Sequence, residues 1–381
     1  MSEAIDGWRT AAERALGACW GAPVACQIVA TLRDKGRNRV FRLAVEGGPV
    51  GSVILKACVG DEQAPYVRGD PNPAGSFRRL CNEWAAGAVL APLGLGPQVH
   101  AADAERGCCV EEDLGDGETL AARLTGDDPA AAEAALFAYA RSLADMHRAT
   151  QGMADRWRAL LAERGAAADD GGHFISTPWR FAAPACKAVA EELGFAPPPR
   201  LERDLAAIAD ALDRPGGYLA FTPTDCCPDN HYLRGDRVVF FDCEGAQVRH
   251  ALLDAAYFLA PFPTCWCCAA LPGDLPQRLI AAYRESFPGD AAFDDQLTMA
   301  LAAWLTAGLA IGRNAKWLDE DGEWGLSTLR QRRLEGIRRL LARPGLATLL
   351  PGVADFAAEL DQRLRVRWPG VQPMPLYSAF A

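Results

Sequence analysis

The chain has 381 residues, of which 50% are hydrophobic and 23% are charged, and its formal net charge at pH 7 is −10. These values are typical of a globular protein with room for two domains, and the acidic balance argues against nucleic-acid binding. The longest apolar run, at 299–311, is too short to cross a membrane, and the N-terminus lacks the features of a secretory signal. We therefore expect a cytoplasmic protein.

The N-terminal part of the chain is rich in strand-like runs. Residues 4–20 alternate polar and apolar side chains and predict a first helix. Apolar, β-rich runs within 27–45 surround a polar turn, and a further run lies at 50–58. Together these runs predict a small antiparallel sheet with tight turns.

A Gly-, Pro- and Asp-rich loop at 60–75 separates the sheet region from the next helix. That helix is predicted at 76–94, with Ser76 as its N-cap and the sequence PLGLGP at its end. A short strand that leads into a Gly-rich segment is predicted at 108–117.

After this point the pattern becomes helical. Residues 128–149 predict a long amphipathic helix, and two further helices are predicted near 184–194 and 201–213. From about residue 251 onward the pattern is almost entirely helical. The sequence therefore predicts an α+β protein with an N-terminal domain at 1–114 and a helical C-terminal domain at 115–381.

Polar side chains with regular spacing stand out within residues 221–245. Asp225 and Asn230 are separated by a short stretch that contains Pro228, and Asp242 follows at the end of an apolar run. Phosphoryl transfer needs bound phosphates, cations and a carboxylate near the acceptor hydroxyl. Carboxylate and amide oxygens also suit Mg²⁺. The pattern favours such chemistry over a merely hydrophilic turn, which is the alternative.

The N-terminal part offers candidate phosphate-binding groups. Lys56 lies near the end of a predicted strand, from which its ammonium group could donate to the phosphates of a nucleotide. Glu83, on the following helix, could orient Lys56 through an ion pair. The turn at 34–38, which contains Gly36 and Asn38, could place backbone N–H groups over phosphates. The alternatives are a solvated lysine, a surface glutamate and a plain hairpin.

The segment DCCPDNHYLRGDRVVFFDCEG resembles the catalytic segment of the aminoglycoside phosphotransferase and choline kinase group. In that group an H-G-D-x-x-P-x-N motif precedes a hairpin and then I-D-x-E or I-D-x-D. The resemblance implies a two-lobed protein-kinase-like fold that binds ATP and Mg²⁺ between the lobes. It implies that Asp225 is the catalytic base and that Asn230 and Asp242 are the metal ligands.

Other segments extend the resemblance to residues 25–262. VILK and NEWAA resemble the group's phosphate-binding lysine and its glutamate partner, which implies these roles for Lys56 and Glu83. VEEDLG, which contains Glu111 and Asp113, resembles the linker between the lobes, whose backbone would contact adenine.

One position departs from the group's pattern. Pro223 and Thr224 stand where the group has His and Gly, and the histidine supports the loop in that group. By the same resemblance, His147 ends the helix before the catalytic region and Asp254 is the aspartate that precedes the next helix. The departure leaves open an alternative, namely a weak or inactive kinase-fold protein that binds a nucleotide or a partner.

The resemblance implies transfer of the ATP γ-phosphoryl group to a hydroxyl of an aminoglycoside-, choline- or sugar-like acceptor. The net charge of −10 slightly favours a cationic acceptor. Nucleic-acid and membrane partners are not expected, and the chain is expected to be a monomer or a homodimer.

Thirteen cysteines are expected to be mostly buried thiols. A zinc-dependent or thiol-redox protein is a third interpretation, in which Cys265 and Cys268 bind zinc together with His231 or His250. Trp266 could line the acceptor pocket. The arginines of the basic helix predicted at 330–343 are expected on a solvated face.

Overall fold

A computed structural model describes residues 2–60, 64–167, 177–260, 262–309 and 316–381. The chain divides into two compact units that alternate along the sequence. The first unit comprises Met1–Gly117, Ala154–Gly172 and Val239–Gln247. The second comprises Glu118–Met153, His173–Val238 and Val248–Ala381. The division into domains at 1–114 and 115–381 stays a prediction.

The first unit is built on a five-stranded antiparallel sheet with the strand order β1-β2-β3-β5-β4. The strands are β1 (Ala25–Arg33), β2 (Asn38–Glu46), β3 (Ser52–Cys58), β4 (Val99–Asp103) and β5 (Cys108–Glu112). The predicted antiparallel sheet is thus confirmed.

Helix α1 (Ser2–Trp20) covers one face of this sheet. Val53 and Leu55 of β3 are buried in an apolar cluster that also contains Leu16 of α1. Successive side chains of a strand point to opposite faces. Lys56 therefore lies on the face of β3 that is turned away from this cluster.

Helix α2 (Ser76–Leu90) is shorter than the predicted 76–94, because a short 3-10 turn at Ala91–Leu93 follows it. The predicted N-cap at Ser76 is wrong. Gly75 occupies the N-cap position without a side-chain hydrogen bond, and Ser76 is the first residue of the helix. Glu83 lies in the middle of α2 and is 4% exposed.

The second unit is mainly helical. Its helices are α3 (Leu120–Leu124), α4 (Pro129–Ala149), α6 (Ala182–Glu192), α7 (Leu201–Asp213), α8 (Leu252–Ala255), α9 (Leu275–Ser286), α10 (Phe293–Gly308), α11 (Leu329–Leu341), α12 (Leu346–Leu349) and α13 (Pro351–Arg367). Helix α5 (Ala154–Glu163) belongs to the first unit. The long helix predicted at 128–149 is confirmed as α4, and the other two predicted helices are confirmed as α6 and α7.

Short strand pairs interrupt the helices. They are β6 (Leu219–Thr222) with β9 (Gln247–His250), β7 (His231–Arg234) with β8 (Arg237–Phe240), and β10 (Glu323–Trp324) with β11 (Ser327–Thr328). The last pair is the only strand pair among the described residues after 251, so the almost entirely helical pattern predicted there is confirmed. With the five-stranded sheet and the helical second unit, the predicted α+β class is confirmed.

An apolar core of aromatic side chains lies between α4, α9 and the segment after α8. Tyr139 of α4 contacts Phe258 and Phe262 with ring centroids 5.4 and 6.0 Å apart. The apolar run at 299–311 forms the end of α10 as far as residue 308, and its last two residues lie outside the described part of the chain. No helix among the described residues is both long and apolar enough to span a bilayer.

Candidate active site

The loop at 225–230, which follows β6 in the second unit, contains the predicted base and one predicted metal ligand. Its last three residues, Pro228–Asn230, form a 3-10 turn. The backbone N–H of Asn230 donates to the carbonyl of Cys227 at 2.9 Å. The Asn230 amide nitrogen lies 3.5 Å from the carbonyl oxygen of Asp225. These contacts within the loop hold Asp225 and Asn230 close together.

Thr224 precedes this loop in a left-handed backbone conformation, with φ of 64°. A β-branched residue rarely adopts this conformation, and such strain costs on the order of 1–3 kcal/mol. The resembling group has Gly at this position, which adopts positive φ without a Cβ penalty. The chain therefore keeps a backbone conformation suited to glycine although its residue is threonine.

Arg249 anchors the start of this loop, although no motif in the sequence marks it. Its Nε donates to Thr222 Oγ1 at 2.9 Å, and its terminal NH2 group donates to Asp254 Oδ1 at 2.6 Å. All three side chains are buried. Burial alone would raise the pKa of Asp254, but Arg249 and His147 outweigh it, so the pKa lies below its usual value. The network joins the end of β6 to α8 through a buried ion pair.

His147 lies beneath the same network. Its Nε2 is 3.6 Å from Asp254 Oδ2, and its Nδ1 is 2.7 Å from the hydroxyl of Tyr283. The side chains of His147 and Asp254 have no exposed surface. His147 thus packs under the loop region as a buried contact of Asp254.

A second cluster of predicted residues lies in the first unit. Lys56 Nζ donates to Glu83 Oε2 at 2.9 Å and also to Asp242 Oδ1. The backbone N–H of Cys243 donates to Glu83 Oε1 at 3.2 Å. Strand β3, helix α2 and the segment after β8 therefore bring Lys56, Glu83 and Asp242 together. Their roles toward a nucleotide stay predictions.

Carboxylates outnumber ammonium groups in this cluster. Burial opposes a charged Lys56, but Asp242 and Glu83 outweigh it and raise its pKa well above its usual value. Burial would raise the pKa of Asp242, yet Lys56 lowers it. Burial raises the pKa of Glu83 to about 8 and also raises the pKa of Glu111. Asp242 therefore stays ionised, and its side chain, which is 24% exposed, offers carboxylate oxygens of the kind that fit Mg²⁺.

The turn predicted to cover phosphates is held by Glu244 of the F-D-x-E motif. Asn38 Nδ2 donates to Glu244 Oε2, and Arg37 donates to Glu244 Oε1, both at 2.7 Å. Gly36 has φ of 77°, as a tight turn requires. The side chain of Asn38 thus supports the turn, while phosphate binding by the backbone there stays a prediction.

Glu111 and Asp113, the residues predicted near adenine, both have engaged side chains. Glu111 lies in β5, is 6% exposed and accepts from the Cys109 thiol at 3.3 Å. Asp113 forms an ion pair with Arg42 at 2.9 Å. Adenine contacts by the backbone of this segment stay predictions.

The structure thus groups the predicted residues into two sets. Lys56, Glu83 and Asp242 contact one another in the first unit, whereas Asp225 and Asn230 share a loop of the second unit. The two predicted metal ligands, Asn230 and Asp242, belong to different units.

The cysteine interpretations need correction. Cys227 and Cys265 form a disulfide, and the other eleven cysteines are free. While the disulfide is formed, Cys265 cannot bind zinc with Cys268 and a histidine. Among the described residues, the one set of three side chains close enough to hold a metal ion is Asp225, Cys227 and Cys265. Ten of the other eleven cysteines are buried, so the expectation of mostly buried thiols is confirmed and the disulfide pair is the exception.

Trp266, a candidate for the acceptor pocket, is 42% exposed. Its indole N–H donates to Asp229 Oδ2 at 2.8 Å, which fixes the ring beside the 225–230 loop.

The prediction that the arginines of 330–343 lie on a solvated face is wrong for Arg332, which is 8% exposed.

Similar proteins include several solved kinases. Choline kinase LicA from Streptococcus pneumoniae is 14% identical, with a TM-score of 0.45, and the match covers 82% of this chain and 94% of that one. A choline/ethanolamine kinase family protein from Mesorhizobium loti is 16% identical, with a TM-score of 0.45 and coverage of 87% and 92%. An aminoglycoside phosphotransferase from Alicyclobacillus acidocaldarius is 14% identical, with a TM-score of 0.40 and coverage of 89% and 93%. No curated protein sequence matches the chain.

The sequence profile described as the phosphotransferase enzyme family matches residues 32–295, which is more than half of the chain. The matched region includes Lys56, Asp225 and Asp242. This match confirms the resemblance drawn from the motifs. The chain belongs to the phosphotransferase enzyme family.

Proposed function

We propose that the protein transfers the γ-phosphoryl group of ATP to a hydroxyl of a small molecule, with Mg²⁺ as the required metal. The observation that carries this proposal is the contact of the buried Lys56 with both Glu83 and Asp242. These residues come from a strand, a helix and the D-x-E segment, which are distant in sequence. A charged lysine held between carboxylates suits the binding of phosphates and metal.

Each residue has a role in the proposed reaction. Lys56 donates to the phosphates and Glu83 orients it. Asn230 and Asp242 hold Mg²⁺, which neutralises charge on the phosphates when bound. Asp225 accepts or positions the proton of the acceptor hydroxyl, which makes that oxygen a better nucleophile.

The proposed acceptor is an aminoglycoside-, choline- or sugar-like alcohol, and a cationic one suits the net charge of −10. We place the protein in the cytoplasm, as a monomer or a homodimer.

A weak or inactive kinase-fold protein is the second candidate, because Pro223 and Thr224 replace His and Gly. The buried network of Arg249, Thr222 and Asp254 argues against an inactive protein, because this network holds the start of the 225–230 loop without that histidine. Binding of Mg²⁺-ATP without turnover of any acceptor would favour this candidate.

The test is an ATP-consumption screen over aminoglycosides, macrolides, amino alcohols and sugars, repeated with GTP, beside a thermal-shift assay with Mg²⁺-ATP. We expect Asp225→Asn to abolish turnover while nucleotide binding is retained. Asp236→Asn, an exposed residue of the nearby hairpin, is the matched control and should leave turnover unchanged. Turnover that survives in Asp225→Asn would overturn the proposal.

A further inference from the structure

A disulfide links the 225–230 loop to a distant segment of the second unit. Cys227 and Cys265 are separated by 38 positions, and their Cα atoms lie 5.3 Å apart. Cys227 lies two positions after Asp225, inside the D-x-x-P-x-N motif. Neither the motif nor its spacing explains a covalent link at this point.

The segment on the other side of the disulfide, residues 262–268, is firmly anchored. Arg332 of α11 donates to the carbonyl of Cys265 at 2.6 Å and to that of Trp266 at 3.1 Å. The Ser327 hydroxyl donates to the carbonyl of Cys268 at 2.6 Å. These bonds satisfy backbone groups that lie in a buried region. The segment therefore provides a fixed base to which the loop can be tied.

A second contact links the loop to the same segment. The indole N–H of Trp266 donates to Asp229, so the two contacts of the loop, at Cys227 and at Asp229, lie on either side of Pro228. One side-chain ligand atom from each of Asp225, Cys227 and Cys265 lies within 4.8 Å of the others. A change at the cysteine pair would thus act directly on the surroundings of Asp225.

We propose that Cys227 and Cys265 form a thiol–disulfide modification site that restrains the 225–230 loop and thereby sets the rate of phosphoryl transfer. This inference rests on the proposed function for its effect on rate. In the cytoplasm, where we place the protein, protein disulfides are mostly transient or redox-sensing. The pair therefore alternates between a dithiol and a disulfide.

The oxidant is a low-molecular-weight disulfide. Cys227, at 7% exposed, is the accessible partner, whereas Cys265 is fully buried. The Cys227 thiolate attacks the reagent, which forms a mixed disulfide and releases one reagent thiolate. The Cys265 thiolate then attacks the Cys227 sulfur and releases the second. The two protons lost by the protein thiols end on the two released thiolates, so two reagent thiols are formed for each protein disulfide.

The oxidised protein is the faster enzyme. The disulfide limits the movement of a loop whose carboxylate must meet the acceptor hydroxyl, and small displacements of such a group lower the rate strongly. We expect kcat to be at least about threefold higher in the oxidised state. KM for ATP should stay unchanged, because both cysteines belong to the second unit, whereas Lys56, Glu83 and Asp242 belong to the first.

The site is tested by equilibrating the protein of 381 residues with oxidised glutathione or with a thiol reductant. Peptide mapping should find the 227–265 link only after oxidation. Amide hydrogen exchange should be slower in peptides covering 225–230 in the oxidised protein. Both measurements are independent of turnover, so a failure of the proposed function would not affect them.

Variants complete the test. Cys227→Ala and Cys265→Ala should each abolish the difference in exchange and in kcat between the two treatments. Cys186→Ala, at a buried free cysteine of α6, is the matched control and should retain both differences. Free thiols at Cys227 and Cys265 after oxidation would overturn the proposal. So would equal amide hydrogen exchange of residues 225–230 in the oxidised and reduced protein, or an equal kcat in these two states. If the alanine variants do not fold, the comparison of the oxidised and reduced wild-type protein still tests the proposal.

Discussion

The terminal NH2 group of Arg249 lies 2.6 Å from Oδ1 of Asp254, and both side chains are buried. An ion pair in this environment is costly to break from one side, because the remaining charge has neither water nor a partner. The same guanidinium holds Thr222, three positions before Asp225. The stability of the second unit and the geometry of the predicted catalytic loop therefore depend on the same side chain.

Substitution Arg249→Met should lower the free energy of unfolding by about 3–5 kcal/mol, because it leaves the Asp254 carboxylate buried without its main partner. Denaturant unfolding measures this loss. Arg148→Met removes an exposed arginine that pairs with Asp145, and should cost at most about 1 kcal/mol. Equal losses in the two variants would contradict the importance of the buried pair.

The contact of Lys56 with Glu83 could be predicted from the sequence, because VILK and NEWAA resemble one group of phosphotransferases. Asp225, Asn230 and Asp242 have a spacing typical of the same group, and their roles stay predictions. The α+β class followed from the change from strand-like to helical periodicity.

Other parts could not be predicted. Arg249 lies in a short strand without a motif, and its importance depends on Asp254 and Thr222, which meet it only in the folded chain. The Cys227–Cys265 link joins residues 38 positions apart in a chain with many cysteines, and spacing alone does not determine such a connection. Arg332 is buried because folding presents it with several backbone carbonyls, which a helical pattern cannot reveal.

Substitution Thr224→Gly tests the strain before the predicted catalytic loop. Glycine adopts φ near 64° without a Cβ penalty, although it costs more backbone entropy on folding. We expect a net gain of up to about 1 kcal/mol in the free energy of unfolding. Thr224→Ala is the control, since it removes the hydroxyl but keeps the Cβ. If Thr224→Gly and Thr224→Ala both lose stability, and by the same amount, the contacts of the threonine side chain dominate at this position. Backbone strain would then not be the main effect.

Substitution Lys56→Met should abolish turnover and weaken binding of Mg²⁺-ATP by at least about tenfold, because it removes the cation that contacts Glu83 and Asp242. Calorimetric titration with Mg²⁺-ATP measures the binding. Lys187→Met, at an exposed position of α6, is the matched control and should bind like the wild type. An unchanged affinity of Lys56→Met for Mg²⁺-ATP would show that Lys56 does not take part in nucleotide binding.

The buried His250 should make stability depend on pH. Burial lowers the pKa of His250 to about 4, and nearby Arg249 adds to this effect. The neutral ring accepts from the backbone N–H of Leu252 at Nδ1 (3.3 Å) and donates from Nε2 to Gln296 Oε1 (3.0 Å). Between pH 6.5 and about 4 the unfolded chain binds a proton here that the folded chain does not.

The free energy of unfolding that the neutral His250 ring contributes is therefore present above pH 6.5 and is lost as the pH falls toward 4. Relative to His250→Gln, which cannot titrate, the wild-type protein should lose about 2 kcal/mol of unfolding free energy between pH 7.5 and 5.0. Urea unfolding of both proteins at the two pH values measures this difference. Parallel pH dependence in the two proteins would mean that His250 keeps a nearly normal pKa, and that water or a carboxylate reaches the ring in solution.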